Sequence, residues 1–492
     1  MFEELFKMFD QHNESLYLVG GFVRDFLSAQ DSDFLWESAY KIDPNSVPKR
    51  FALATEYFWG DVESGKIDID FATSALPEKT IQILKESGLK VIPIGKEFGT
   101  IQTFWKDKKI EITTFRCDES YKKGSRKPSV KFGKTIEEDL ARRDFTCNAI
   151  AMDKDGKIID PFMGHNDLIE GLLWSPDRSY GNSENPSMAA FTDDPLRMLR
   201  AYRFEARGIA QCSWQVGKAI EKLKKEIRMV SSERIFDEFS KILMSKYAHE
   251  ALDHMAKSGL LGEIFPELQR VIDFKQNQGK WHSKLVWPHT LGVVQQSPQI
   301  LEVKWSALFH DIAKPLTYSE GPDGVHFYGH DWKGSLVWDE VARRLRMSNE
   351  FRDYVHFLIY EHLQPSLLSS EGANYASNKA LRRLMFRAGD RLDNLFHLSL
   401  ADITSHRPDI VAEKRANCLA LWERCKKLAE EQQIIRIKLP KGTGLVVADA
   451  LGINPGKELG EVMKKLEQML IDGEVSVDAD FAQVAKNISA KS

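Results

Sequence analysis

Apolar and polar residues alternate in short stretches over the first part of the chain, and the clearest stretch is Ile67-Asp68-Ile69-Asp70-Phe71. Apolar residues at a period of two predict a β-strand with one buried face and one open face. We therefore expect Asp68 and Asp70 on one face of a strand, and the three apolar side chains on the opposite face in a core.

Other stretches of this region alternate between strand and helix patterns. The sequence predicts strands at Leu16–Val19 and Lys109–Arg116, and helices over 2–10 and 78–87. From Asp160 onward, longer helical patterns replace the alternation. The expected fold class is therefore α+β, with strands confined to an N-terminal head and helices filling the remainder.

Composition places few limits on function. A chain of 492 residues with 42% hydrophobic and 28% charged residues is typical of a globular protein with roughly three or four domains. Acidic residues number 72 and basic residues 68, so any binding of a polyanion requires a local basic surface. Five scattered cysteines without a C-x-x-C pattern, no signal peptide and no apolar run of about 18 residues favour a cytoplasmic protein without a membrane partner.

The paired carboxylates of Asp68 and Asp70 suggest a metal site. Two like charges held this close repel unless a cation lies between them, and Mg²⁺ prefers such hard oxygen ligands. Glu111, on the next predicted strand, adds a third acid, and three carboxylates with two metals suit phosphoryl and nucleotidyl transfer. A D-x-D triplet alone is more often part of an edge strand with a solvated acidic face, so the rest of the chain must decide.

A glycine turn and a basic segment supply candidate contacts for phosphates. Gly20 and Gly21 stand between a strand and a helix, and Arg24 follows within one turn, which is a favourable arrangement for a triphosphate. Residues 117–136 predict a mobile loop with six lysines and arginines. This loop is either a solvated surface segment or a flap that contacts RNA or nucleotide.

Four motifs stand in an order that resembles one known family. They are Gly20-Gly-Phe-Val-Arg-Asp25, Asp68-Ile-Asp-Phe-Ala-Thr73, Arg142-Arg-Asp-Phe-Thr-Cys-Asn-Ala149 and Asp194-Pro-Leu-Arg-Met-Leu-Arg-Ala-Tyr-Arg-Phe204. Together they resemble the bacterial tRNA nucleotidyltransferases (CCA-adding enzymes) and the related poly(A) polymerases. The resemblance covers residues 15–205 strongly and implies a head of polymerase β-like type with a mixed sheet.

For the head, the resemblance implies two functional groups of residues. The catalytic and metal-binding acids would be Asp68, Asp70 and Glu111, with Mg²⁺ as cofactor. The residues around the triphosphate and ribose would be Gly20, Gly21, Arg24, Arg143, Asp144 and Asn148.

The resemblance also implies a helical motif that reads the incoming base. The motif is Asp193-Asp-Pro-Leu-Arg197, in which Asp194 and Arg197 would lie at i,i+3 on one helix face. An acid and an arginine can imitate the edge of a base, accepting from an amino group and donating to ring atoms. Arg200 and Arg203 would complete the nucleotide site.

Two departures from the family pattern affect these expectations. Asp193 stands where relatives have Glu, while the Asp194 and Arg197 pair is kept. Residues 28–65, rich in aromatic side chains, separate the glycine turn from Asp68, whereas relatives usually have a far shorter connection. We expect this segment to be an insertion packed on the rim of the head.

A second constellation over 280–410 resembles the metal site of HD-type phosphohydrolases. Histidine and carboxylate ligands together suit first-row divalent metals, so we expect a transition metal there. The candidate ligands are His289, His310, Asp311 and Asp402. His330 and His362 match additional histidines that bind a second metal or a phosphate in that superfamily.

These expectations combine into one domain scheme and one function. The scheme is a head over 1–150, a neck over 151–235 that recognises the base, a body over 236–435 with the HD-type module, and a tail over 436–492 that contacts tRNA. The predicted function is template-independent addition of CCA to tRNA from CTP and ATP. The alternatives are a poly(A) polymerase, an enzyme that adds only CC or only A, and an HD-type phosphohydrolase whose head senses nucleotide.

Overall fold

The computed structural model describes most of the chain. The described residues are 1–42, 54–65, 67–93, 95–120, 129–177, 188–275, 285–372, 375–404, 407–432 and 439–489. Two compact units make up the chain: Met1–Ile242 with Glu250–Ile264, and Leu243–His249 with Phe265–Ser492. The four-part domain scheme is finer than this division and stays a prediction.

Strands lie mainly in the first third of the chain. In chain order they are β1 Leu16–Val19, β2 Ile69–Thr73, β3 Val91–Ile92, β4 Thr100–Trp105, β5 Lys108–Thr114, β6 Arg116–Ser120, β7 Ser129–Phe132, β8 Ala151–Met152, β9 Ile158–Ile159, β10 Leu172–Leu173, β11 Gln211–Cys212, β12 Ser319–Gly321 and β13 Gly324–His326.

Helices fill most of the rest. Those of the first 264 residues are α1 Glu3–Asp10, α2 Gly21–Ile42, α3 Ala54–Glu63, α4 Pro77–Glu86, α5 Ile136–Ala141, α6 Gly164–Glu170, α7 Met188–Asp193, α8 Arg197–Arg207, α9 Trp214–Leu223, α10 Ser232–Leu243, α11 Ala248–Ser258 and α12 Leu260–Ile264. Those that follow are α13 Pro266–Asp273, α14 Val286–Gln296, α15 Leu301–Phe309, α16 Lys314–Thr317, α17 His330–Arg344, α18 Asn349–Glu361, α19 Gln364–Leu368, α20 Asn378–Ala388, α21 Leu392–Asp402, α22 Pro408–Gln432, α23 Thr443–Leu451, α24 Lys457–Asp472 and α25 Phe481–Ser489.

A seven-stranded mixed sheet forms the centre of the first unit. Its order is β3-β4-β5-β2-β1-β8-β9, with β2 parallel to β5 and antiparallel to β1. Ile69 and Phe71 of β2 are almost fully buried, as their alternation predicts. The expected α+β class with a mixed sheet and a helical remainder is confirmed. The two strand pairs β10–β11 and β12–β13 within the helical part were not predicted.

The described part of the segment 28–65 packs differently from the prediction of a rim position, and residues 43–53 of this segment lie outside the described residues. Helix α2 continues through its first half, and α3 brings Phe58 and Val62 into the same core as Phe22 and Phe71. The rings of Phe22 and Phe58 lie 5.2 Å apart in an edge-to-face arrangement. Aromatic residues of this segment therefore complete the core of the head, because burying such large apolar side chains is favourable.

The basic segment 117–136 is partly a strand pair. β6 and β7 run antiparallel, with Glu119 opposite Val130. Four of its basic residues, Lys122, Lys123, Arg126 and Lys127, lie outside the described residues. The prediction of a loop over the whole segment is therefore wrong at both of its ends.

Candidate functional site

Three carboxylates meet on the open face of the sheet. Asp68 directly precedes β2, and Asp70 stands opposite Glu111 in the parallel register of β2 and β5. Since side chains at alternate strand positions share a face, Asp68, Asp70 and Glu111 lie on the same side. Lys109, two positions before Glu111, places its Nζ 2.8 Å from Glu111 Oε1.

The electrostatics of this face favour a bound cation. Burial, together with the charges of Glu111 and Asp68, raises the pKa of Asp70 to about 6, although the charges of Arg143 and Lys109 oppose the rise. A divalent cation would relieve this repulsion, and carboxylate oxygens are the ligands that Mg²⁺ accepts. The residues present therefore fit a magnesium site.

Arg143 of the Arg-Arg-Asp motif packs against the glycine turn at the N-terminus of α2. Gly20 has a φ of +69°, which a side chain rarely adopts, and a Cβ added there would lie 3.0 Å from Arg143 Nη1. Arg143 therefore lies directly against the turn between β1 and α2. Glycine at position 20 allows this close approach of a guanidinium to the backbone.

A chain of hydrogen bonds joins α2, the Arg-Arg-Asp motif and α8. Arg24 Nη1 donates to Asn148 Oδ1 over 2.7 Å, Asn148 Nδ2 donates to Asp144 Oδ1 over 3.0 Å, and Arg200 Nε donates to Asp144 Oδ2 over 2.8 Å. Burial alone would raise the pKa of Asp144, but the charge of Arg200 and the hydrogen bond from Asn148 hold it well below its ordinary value. Four of the predicted nucleotide-site residues thus form one network.

A buried carboxylate that the sequence reasoning missed holds Arg143. Asp139 is 1% exposed, and its Oδ2 accepts from Arg143 Nη2 over 2.9 Å while its Oδ1 accepts from the backbone N of Arg116 over 3.1 Å. Helix α5 presents Asp139 after a capping box formed by Thr135 and Glu138. The T-x-x-E pattern of Thr135 and Glu138 is a sequence signal for the start of a helix. It would have indicated that Asp139 lies in this helix, four residues before Arg143.

The base-reading motif differs from its prediction. α7 ends at Asp193 and α8 begins at Arg197, so Asp194 lies between two helices instead of at i,i+3 on one of them. Pro195 explains the break, because proline cannot donate a backbone hydrogen bond and disfavours helix at the residue before it. Arg197 Nη2 donates to the backbone O of Arg142 over 2.7 Å.

Two further residues of this motif have protein partners. Asp194 Oδ1 accepts from the backbone N of Leu196 over 3.1 Å, and Asp194 Oδ2 accepts from Arg234 Nη2 over 2.8 Å. Arg203 Nη1 lies 3.3 Å from Glu238 Oε1, a carboxylate that is almost fully buried. Arg234 is therefore a candidate site residue that motif matching missed, and no local pattern in the sequence links it to Asp194.

The second unit brings all six residues of the HD-type constellation together. His289 Nε2 lies 3.3 Å from His310 Nε2 and 3.0 Å from Asp402 Oδ1. Asp311 Oδ2 lies 3.1 Å from His310 Nε2, and its Oδ1 lies 3.4 Å from His330 Nε2. His310 and Asp311 follow the end of α15 directly.

Hydrogen bonds at Nδ1 fix the orientation of these histidine rings. Nδ1 of His310, His330 and His362 each lies within 2.9 Å of a backbone carbonyl, and Nδ1 of His289 lies 2.8 Å from Thr404 Oγ1. A hydrogen bond from Nδ1–H leaves Nε2 with its lone pair free for a metal. Burial lowers the pKa of His362 to about 4, so its imidazole is neutral.

The donor set fits two metal ions that share one carboxylate. Ligand atoms of His289, His310 and Asp311 lie within 4.8 Å of one another, and so do those of Asp311, His330 and His362. Nε2 of His330 and of His362 is buried without a hydrogen-bond partner in the described part of the chain. Buried polar atoms are rarely left in this way, and divalent ions with imidazole and carboxylate ligands would use both nitrogens.

The chain is similar to two families of polymerase domains and to CCA-adding enzymes. Residues 16–174 match the family model described as the Poly A polymerase head domain, and residues 214–272 match the model described as the probable RNA and SrmB-binding site of polymerase A. The CCA-adding enzyme of Streptococcus gordonii is 34% identical over 419 residues, covering 84% of this chain and 86% of that protein.

Other relatives are matched over a shorter region. The CCA-adding enzyme of Bacillus velezensis is 36% identical over 197 residues, which cover 40% of this chain and 47% of that enzyme. The chain thus spans about half the length of this and several similar curated relatives. The crystal structure of the Bacillus stearothermophilus CCA-adding enzyme in complex with CTP has the same fold, with a TM-score of 0.61, 22% identity and coverage of 99% of this chain and 97% of that one.

Among the described residues, none of the helices combines the length and the apolar character that spanning a membrane requires.

Proposed function

The chain belongs to the bacterial family of CCA-adding enzymes and poly(A) polymerases, and from that premise we propose that it adds CCA to the 3′ end of tRNA, using CTP and then ATP without a nucleic-acid template. The observation that carries this proposal is the acidic face. Asp70 lies opposite Glu111, beside Asp68, and Arg143 approaches the glycine turn of the same unit.

The acids would hold the metal ions of the reaction. Asp68, Asp70 and Glu111 would bind divalent cations, which we propose to be Mg²⁺, and in nucleotidyl transfer such ions lower the pKa of the attacking hydroxyl and neutralise the leaving pyrophosphate. The chain's own residues then orient the nucleotide. Gly20, Gly21 and Arg24 provide backbone and guanidinium donors for the triphosphate.

The network around Asp144 would select the nucleotide. Arg143, Asp144 and Asn148 offer both donors and acceptors to a ribose. Hydrogen bonds from Arg24 to Asn148 and from Asn148 and Arg200 to Asp144 hold these two residues in place before any substrate binds, and Asp139 holds Arg143. Asp194 and Arg197 would read the base, with Arg234 fixing the carboxylate of Asp194. Selection by protein side chains explains how addition proceeds without a template.

A primer-extension assay tests this function. A tRNA that ends before CCA is incubated with Mg²⁺ and CTP, ATP or both, and the products are sized. We expect two additions with CTP alone and three with both nucleotides. Asp70→Asn should abolish addition, whereas Asp107→Asn, in the exposed turn between β4 and β5, should not. Long A tracts, or arrest after two cytidines with both nucleotides present, would contradict CCA addition and support the poly(A) or CC-adding alternatives.

The rest of the chain has assigned roles within this proposal. Residues 1–150 form the catalytic head, 151–235 the neck, 236–435 the body and 436–492 a tail that contacts tRNA. The enzyme would act in the cytoplasm, where its tRNA substrates are processed. The same assay with a tRNA minihelix in place of full tRNA would show whether residues 436–492 contribute to affinity.

A second activity is favoured by the buried histidines. We propose that the HD-type module is a metal-dependent phosphohydrolase with a divalent transition metal on His289, His310, Asp311 and Asp402, because two convergent ligand sets share Asp311. The expected activity is hydrolysis of 2′,3′-cyclic phosphates. His310→Ala/Asp311→Ala should remove this activity and leave nucleotide addition intact. Normal hydrolysis by the double variant would refute the assignment.

The same variants separate this proposal from a hydrolase whose head only senses nucleotide. That alternative requires Asp70→Asn to leave the principal activity on tRNA unchanged, whereas nucleotidyl transfer requires its loss.

A further inference from the structure

Lys109 lies on the same face of the sheet as Asp68, Asp70 and Glu111, which form the acidic face. In the parallel register of β2 and β5, Ile69 stands opposite Ile110 and Asp70 opposite Glu111. Continuing this register by one position places Asp68 beside Lys109. Alternate positions on both strands share a face, so three carboxylates and one lysine occupy neighbouring positions on it.

The ammonium group already makes the contact that a metal ion would make. Lys109 Nζ lies 2.8 Å from Glu111 Oε1. Both side chains are partly solvated, with 51% of Lys109 and 40% of Glu111 exposed. A half-exposed lysine has a flexible four-carbon stem, and its ammonium group can therefore move away from Glu111 when a stronger cation arrives.

We propose that Lys109 is the resident counter-ion of the acidic face, and that a divalent cation must displace its ammonium group from Glu111 in order to bind there. Lys109 then sets the metal affinity of the head. It also keeps Glu111 paired while the metal site is empty, which limits repulsion among the three acids. This inference extends the proposed nucleotidyl transfer, since that reaction gives the acidic face its metals.

The charge of Lys109 determines the direction of the effect. A positive charge next to a carboxylate ligand opposes the approach of a second cation, and at a partly solvated position such an interaction is worth about one order of magnitude in affinity or less. Lys109→Met removes the charge and retains most of the apolar stem. We expect it to lower the dissociation constant for Mn²⁺ about fivefold.

Metal binding is measured directly, without nucleotide or tRNA. The full chain is freed of metal and titrated with Mn²⁺, and free Mn²⁺ is followed by electron paramagnetic resonance. We also propose a metal in the HD-type module. The contribution of the head is therefore defined as the part of the isotherm that disappears in Asp70→Asn. For this head contribution, we expect Lys109→Met to bind Mn²⁺ more tightly than wild type. Lys109→Arg should bind Mn²⁺ as tightly as wild type because it retains the charge.

Lys106→Met is the matched control. Lys106 lies in the same hairpin, and its Nζ is 3.7 Å from Glu4 Oε2, away from the acidic face. The Lys106→Met variant loses the same charge as Lys109→Met, and its Mn²⁺ binding isotherm should match that of wild type. An affinity for Lys109→Met equal to that of Lys106→Met would overturn the role of Lys109, and so would an affinity weaker than wild type.

The outcome is independent of the proposed reaction. If primer extension fails in wild type while Lys109→Met still tightens Mn²⁺ binding, the nucleotidyl-transfer proposal falls and the role of Lys109 stands. If primer extension succeeds and the isotherms coincide, only the role of Lys109 falls. Thermal denaturation of the metal-free variants confirms that each is folded before the titration.

Discussion

Arg234 Nη2 lies 2.8 Å from Asp194 Oδ2 and connects helix α10 to the segment between α7 and α8. The other oxygen of Asp194 accepts from the backbone N of Leu196 over 3.1 Å. Both oxygens of this carboxylate therefore have donors, which fix the direction in which it can accept from a base. A charge-assisted hydrogen bond of this kind gives geometric precision as well as energy.

Arg234→Gln should weaken the selection of nucleotides. Without the guanidinium, Asp194 retains one hydrogen bond and gains rotational freedom, so we expect discrimination of CTP and ATP against UTP and GTP to fall about tenfold. Stability should change by about 1 kcal/mol or less, since Arg234 is partly exposed. The measurement is kcat/KM for all four nucleotides on tRNA without CCA. Arg228→Gln, which breaks the pair of Arg228 with Glu263, serves as control and should leave discrimination unchanged.

Asp144→Asn should destabilise the first unit and reduce its sensitivity to acid. The buried carboxylate accepts from Arg200, and removing its charge leaves the guanidinium without its counter-ion, at a cost of about 2–4 kcal/mol at pH 7. Because the pKa of Asp144 is lower in the folded state than its ordinary value of 3.8, its stabilising contribution is complete above about pH 5 and is lost as the pH falls further.

Thermal denaturation at about pH 7 and about pH 3 measures both effects. The midpoint of wild type should fall more between these two values than the midpoint of Asp144→Asn. Asp155→Asn, at an exposed turn, should behave as wild type. Equal acid sensitivity of wild type and Asp144→Asn would show that this network does not stabilise the fold.

Local sequence patterns predicted β1, β2 and β5, the three adjacent strands at the centre of the seven-stranded sheet. The alternation around Asp68 and Asp70 correctly predicted which face of β2 is buried. The expectation that Glu111, on β5, lies beside these two acids was also correct. The HD-type residues were also identified in full, because each histidine and aspartate stands in a recognisable order. Their convergence is confirmed by the structure, while their roles stay predictions.

The errors arose where distant residues decide local structure. Pro195 separates Asp194 from Arg197, and the partner of Asp194 is Arg234, which lies 40 positions later. Nothing in the local spacing of these residues indicates such a contact. Likewise, the aromatic residues of 28–65 gave no indication that Phe58 would pack on Phe22 in the core, because burial depends on tertiary contacts.

Asp70→Asn should stabilise the metal-free protein while abolishing nucleotide addition. The pKa of Asp70 is raised from 3.8 to about 6, so ionisation of this carboxylate destabilises the fold progressively as the pH rises from about 4 to about 7. The uncharged amide removes a penalty of about 1–3 kcal/mol at pH 7. The thermal midpoint of the metal-free variant should therefore exceed that of wild type at pH 7, and the two should approach each other near pH 4.

Adding Mg²⁺ should reverse this order. Metal binding stabilises only the folded state, so it should raise the midpoint of wild type and have little effect on Asp70→Asn. A lower midpoint for the metal-free variant at pH 7 would contradict the proposed repulsion on the acidic face.

Gly473→Ala should destabilise the C-terminal helices more than Gly452→Ala. Both glycines end a helix with a positive φ, +73° and +66°, so alanine costs about 1 kcal/mol of backbone strain at either position. At Gly473, however, an added Cβ would overlap the guanidinium of Arg382, which donates to the backbone O of Asp472 over 2.9 Å. At Gly452 an added Cβ has no atom within 4 Å. Displacing Arg382 should cost about 1 kcal/mol more, and limited proteolysis of the two variants would measure the difference. Equal protection of both variants would mean that Arg382 moves without loss.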